Sequence, residues 1–121
     1  MLKERVQACM ETGENCSRMI LLAAAEEYGI SLSADILSAC KGLQGGFGVG
    51  AMCSGLVAAI MVLGLLFEEE DVKIRCILFL LRMQERYGSL ECCRLSAIHG
   101  DCKNILEGIA ELLQEVIEED V

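Results

Sequence analysis

The chain has 121 residues, 54% of them hydrophobic, with no Pro, no Trp, only two Tyr and three Phe, and a net charge of −9. The composition argues against a sheet protein, which needs more β-branched and aromatic residues, and favours packed helices. The charge argues against a nucleic-acid backbone or an anionic membrane surface as partner, and the length leads us to expect a single domain over residues 1–121.

In chain order, residues 2 to 12 read as a short helix broken by Gly13. Asn15 is a good N-cap, with Cys16 as the first residue of a second helix that Gly29 closes. Ser31 or Ser33 caps a third helix carrying Ile36, Leu37 and Cys40 and ending at Gly42. A glycine run from Gly42 to Gly50 then leads into an uncharged helix from Met52 to Phe67, with Cys53 at the junction. Leu56, Ala59, Ile60, Leu63 and Phe67 form one stripe on it, and Gly55, Ala58, Ala59 and Gly64 would let a neighbour approach closely.

Glu68 to Asp71 supply acids suited to the start of the next helix. On it Ile74, Ile77, Leu78 and Leu81 read as the buried stripe, and Arg75, Arg82, Glu85 and Arg86 as the wet face. Gly88 ends it, and Ser89 caps a short helix with Cys92 and Cys93. Asp101 caps the last helix, which Cys102 opens and on which Ile105, Ile109, Leu112 and Val116 face the core. The fold expected is all-α: a compact bundle of five or six helices around the central apolar one.

Gly42 to Phe67 carries no charge and invites comparison with a membrane span. Five glycines crowd its first nine residues, and no aromatic belt or basic flank accompanies it, so a buried bundle helix is the better expectation and membrane association is not expected. The chain begins Met-Leu-Lys-Glu-Arg with no apolar leader, and we expect a reducing, cytoplasmic setting. Eight Cys in that setting point to metal or thiol chemistry before a structural disulfide framework.

Cys16, Cys53, Cys92 and Cys102 all fall at expected helix starts, where unpaired N–H groups and the helix dipole stabilise a thiolate. Cys9, Cys40 and Cys76 fall within helices and read as small packing hydrophobes. Cys93 points about 100° away from Cys92 around a helix, leaving its part open. No CxxC spacing occurs. The glycine run lacks the Lys-Ser/Thr of a phosphate loop; Gly48 and Gly50 would instead let backbone approach sulfur or metal at Cys53, with Met52 beside it lining the site. His99, the lone histidine, three residues before Cys102, reads as a surface turn residue, a ligand or a proton shuttle, too little for a hydrolase.

At these residues the chain resembles a family of redox-active proteins named for a C…GCAxxG…C…C pattern. Asn15-Cys16-Ser17 is similar to its Asn-Cys block, Gly45 to Gly50 to its glycine run, Cys53 to Gly64 to its Cys-Gly-Ala-x-x-Gly-Ala helix, and Tyr87 to Cys92 to its aromatic-Gly-Ser-x-x-Cys block. Cys102 stands for the last cysteine. Ser54, Gly55 and Ala58 depart from the family's Gly, Ala and Gly while staying small. The resemblance implies redox activity, oxidoreductase-like in kind, without naming a substrate.

Three functional readings follow. In the first, Cys16, Cys53, Cys92 and Cys102 converge, either as reversible disulfides or as ligands of an iron–sulfur cluster or zinc, and meet a redox protein partner. In the second, the cysteines only pack, and the chain is a helical homo-oligomeric interaction module. A homodimer through the small-residue face is expected in either case. A single-span membrane protein is the third and weakest reading.

Overall fold

A computed structural model describes residues 1–121. Seven α-helices account for most of the chain: α1 Leu2–Met10, α2 Cys16–Tyr28, α3 Ala34–Ala39, α4 Ser54–Leu66, α5 Glu69–Tyr87, α6 Cys92–His99 and α7 Lys103–Glu118. One tight turn over Cys40–Leu43 extends α3, and a glycine loop, Gly46–Gly50, precedes α4. The architecture is all-α as expected; the short α3 and α6, standing as separate elements, carry the count past five or six. No strand forms, and the only β-type pairing is an isolated antiparallel bridge between Met52 and Glu91.

The helix boundaries follow local chemistry. Asn15 accepts the Arg18 N–H at 2.9 Å and starts α2, and Ser33 accepts the Ile36 N–H at 3.2 Å and starts α3. Gly29 and Gly88 close α2 and α5 in the left-handed conformation, at φ 66° and 81°.

The core is one cluster of 23 buried residues, with α4 at its centre. Leu56, Ala58, Ala59, Val62 and Leu63 of α4 are fully buried, and α2 packs on that helix with Ile20, Ala23 and Ala24. Three of the four small residues of α4, Gly55, Ala58 and Ala59, are used inside the chain, whereas Gly64 is exposed. Ile109 and Leu106 of α7 press so close to Gly55 that a Cβ there would stand 2.9 Å from Ile109. α7 buries Ile105, Ile109, Leu112 and Val116 as its spacing predicts, and α1 seals one side through Leu2 and Val6.

α5 is turned relative to expectation. Of the expected stripe Ile74, Ile77 and Leu81 are exposed and only Leu78 packs against the core, while Phe79, Met83 and Arg75 are buried. The physical reason lies at the end of α7, whose last carbonyls lack intrahelical partners. The Arg75 guanidinium donates to the carbonyls of Val116 and, at 2.8 Å, Glu119, and stacks 4.0 Å from the Phe67 ring centroid. Satisfying those carbonyls draws Arg75 inward, and the apolar stripe at Ile74, Ile77 and Leu81 turns outward. No helix is long and apolar enough to cross a membrane.

Candidate functional site

The starts of α2, α4, α6 and α7 meet around one cavity of about 250 Å³. Its wall includes Cys16, Cys53, Cys92 and Cys102, the four thiols singled out from the sequence. Cys16 is the first residue of α2, held by the Asn15 cap. Cys53 occupies the N-cap position of α4, and Cys92 opens α6 after Glu91. Cys102 directly precedes α7, whose first N–H, from Lys103, is accepted by Asp101 at 2.7 Å. Three boundaries differ slightly from expectation: α4 begins two residues later, at Ser54, α7 begins one residue later, and Ser89 accepts the Glu91 N–H rather than capping α6 itself.

The glycine loop sets the position of Cys53. The Ala51 N–H closes it on the Gly46 carbonyl at 3.0 Å. At Gly46 a Cβ would lie 2.5 Å from the Ala51 nitrogen, so only glycine fits this closure. Beyond the loop the Cys53 N–H donates to Leu90 at 2.9 Å, and the Cys92 N–H donates to Ala51 at 2.6 Å. These two bonds flank the Met52–Glu91 bridge and lock the start of α4 to the start of α6. Cys53 and Cys92 therefore sit as diagonal neighbours across a short antiparallel pairing.

Cys16, Cys53 and Cys92 are half-buried and Cys102 is exposed at the rim; all are free thiols. Leu95, Ile105 and Leu106 make the apolar wall, and Glu14, Asn15, Gln44, Ser54 and Ser96 its polar part. Leu95 and Leu106 escaped the sequence reading and Ile105 was expected only as core, yet a signal existed: Leu95 lies three residues after Cys92, and Ile105 and Leu106 three and four after Cys102, hence on the same helical faces.

The electrostatics correct one expectation. Helix starts were expected to ease ionisation of these thiols, but at Cys16 and Cys53 burial wins. Burial first, and then the neighbouring Cys102, Cys53 and Cys92, push the Cys16 thiol up to about 11. Burial also raises Cys53, although the N–H groups of Leu56 and Gly55 at the start of α4 pull in the opposite direction. At these two positions the helix start contributes, but burial favours the neutral thiol.

The other candidates lie outside the cavity wall. Gly48, Gly50 and Met52 are not part of it, whereas Gln44 and Gly45 are. Gly50 instead backs onto exposed Cys93, where a Cβ would stand 2.9 Å from the Cys93 Cβ. His99 pairs through Nε2 with the Tyr87 carbonyl at 3.0 Å and meets the Tyr87 ring edge-on, away from the thiols. Cys40 is buried in the core, and Cys9 and Cys76 pack against it.

The four thiols surround a space rather than a point. No three His, Cys, Asp or Glu donors are grouped closely enough to hold a single metal ion. The cavity would hold about eight water molecules at ~30 Å³ each.

A family model described as "Putative redox-active protein (C_GCAxxG_C_C)" matches residues 14–116. No curated protein and no solved structure gives a significant match. The match spans most of the chain, and the chain belongs to that family.

Proposed function

We propose that the cavity is the redox centre of this family member, and that Cys16, Cys53, Cys92 and Cys102 together hold an iron–sulfur cluster there for electron transfer. The observation that carries the reading is the arrangement of four thiols around a cavity of about 250 Å³, with no ion-sized grouping of donors. A tetrahedral zinc site needs its sulfurs about 2.3 Å from one point. A polynuclear cluster needs thiols spread around a larger space.

The chain's own groups suit that role. Four helix starts border the cavity, and their positive dipole ends favour thiolates and an anionic centre. The Cys53 sulfur already faces the N–H groups of Leu56 and Gly55. Leu95, Ile105 and Leu106 exclude water from one side. Raised thiols such as Cys16 become thiolates once a cation shares the cage. A bound cluster supplies one-electron chemistry at a potential set by hydrogen bonds to sulfur and by solvent exposure.

The Met52–Glu91 bridge favours a second reading, because it holds Cys53 and Cys92 as neighbours. Here the two thiols lose two protons and two electrons to form one disulfide, and a disulfide substrate takes up both to become two thiols.

Purification without oxygen, followed by iron, sulfide and free-thiol counts and an electron paramagnetic resonance spectrum after reduction, separates the two. Bound iron and sulfide, lost when any of the four cysteines is replaced by Ser and kept when Cys9, Cys40 or Cys76 becomes Ala, is the expected result. No metal, with two thiols consumed per oxidation, selects the disulfide reading. No metal and inert thiols refute both.

A further inference from the structure

Two features beside the cavity play no part in holding the thiols. The first is Phe47, the only non-glycine residue with a positive φ, at 63°. A side chain there costs about 1–2 kcal/mol of backbone strain. The ring gains little burial in return: Phe47 is 48% exposed, and Val49 two residues on is 81% exposed. The loop that carries them packs on α6 and on the Cys40–Leu43 turn, and Gln44 and Gly45 at its base line the cavity. A strained, exposed aromatic next to a chemical site marks a contact made with something else.

The second feature is charge. Arg5, Arg18, Arg82 and Arg86 are held in ion pairs, and Arg75 is buried against carbonyls. Lys41, Arg94 and Lys103 are exposed and outside every ion pair, and each stands on an element beside the cavity wall. Residues 36–67 contain no acid and residues 92–106 only Asp101, on a chain whose net charge is −9. The acids are densest at the start of α5 and along α7. The cavity face carries Glu14, which pairs with Arg18, and exposed Glu91 and Asp101 beside its three unpaired cations, so it is the least acidic approach for an acidic protein.

We propose that Phe47 and Val49, with Lys41, Arg94 and Lys103 on the elements beside the cavity, form the docking surface for an acidic electron-transfer protein that exchanges electrons with the thiol-lined cavity. This rests on the redox reading above. In each exchange one electron passes from the reduced partner to the centre; the partner is oxidised by one electron, the centre is reduced by one, and no bond forms or breaks. Charge complementarity steers such encounters and sets their salt dependence.

The test titrates the purified full-length protein with an acidic [2Fe–2S] ferredoxin and reads the Kd by calorimetry at low and high salt. Wild type binds at low salt and weakens about tenfold or more as salt rises, and K41E/R94E/K103E loses a similar factor. F47G, which relieves the left-handed strain, weakens binding without lowering the melting temperature. K3E/K73E, which reverses two unpaired lysines elsewhere, leaves the Kd unchanged. Wild-type binding by both the triple variant and F47G overturns the proposal, as does equal weakening in K3E/K73E. Self-association of the chain that the same triple reversal abolishes also overturns it, by making a second copy the occupant. Reduction by dithionite, which needs no docking, reads the centre separately: a chain that binds ferredoxin but that dithionite cannot reduce refutes the redox reading and the electron exchange with it.

Discussion

At the scale of single residues, the informative contest is between helix dipole and burial at Cys16 and Cys53. The sequence places both at helix starts, which argues for easy ionisation. Packing then encloses them, and desolvation with mutual repulsion raises both. The consequence for the metal-free chain has a definite sign. Cys16 holds its proton to about 11 when folded, against an ordinary value of 9.0. Between those limits the unfolded chain gives up the proton first, so stability falls as pH rises through the window and is unaffected by this group below it. Urea titrations from pH 8 to 11 under reductant are expected to show that decline, and Cys16→Ser to flatten it. The same protons oppose metal. Iron binding to the reduced chain is expected to tighten with pH over the range in which Cys16 and Cys53 must deprotonate, measured by competition with a chelator. A binding curve flat in pH would contradict thiolate ligation.

At the scale of elements, most starts and stops were legible because they depend on local chemistry: Asn15 and Ser33 as caps, Gly29 and Gly88 as left-handed ends. The rotation of α5 was not. That helix carries two apolar stripes at helical spacing, one through Ile74, Ile77 and Leu81 and one through Cys76, Phe79 and Met83. Periodicity alone cannot choose between them. The choice was made by the end of α7, more than 40 residues away, whose carbonyls accept the Arg75 guanidinium. Replacing Ile77 by Gln is therefore expected to change stability by less than about 0.5 kcal/mol, and Phe79→Ala to cost about 3–5 kcal/mol. Arg75→Met, which leaves the α7 carbonyls without their donor, should cost about 1–3 kcal/mol. Denaturant midpoints on the three variants check the set, and a large loss at Ile77 with little at Phe79 would reverse the assignment of faces. The cavity wall was half legible in the same sense. Its thiols announced themselves by helix-start placement, whereas Gln44 and Gly45 enter it only through the fold of the glycine loop.

At the scale of the whole molecule, the cavity joins α2, α4, α6 and α7, so whatever binds all four thiols ties together the elements that enclose the core. Ligand bound only by the folded chain raises apparent stability by RT ln(1 + [L]/Kd), about 4 kcal/mol at a thousandfold excess over Kd. Reconstitution with iron and sulfide is expected to raise the melting temperature of the wild type and to leave that of a Cys16→Ser, Cys102→Ser variant unchanged, with calorimetry as the check. The sulfurs themselves come from positions 16, 53, 92 and 102, spread along most of the chain. During synthesis the ribosome delivers α2 and α4 well before α7, and domains fold as units rather than residue by residue. A nascent chain that has emerged only through Tyr87 presents two of the four sulfurs and none of the α6 and α7 wall. If the four thiols hold a cluster as proposed, it can be completed only after α7 has been made, and a truncation just before Asp101, which removes Cys102 and α7, is expected to retain no iron.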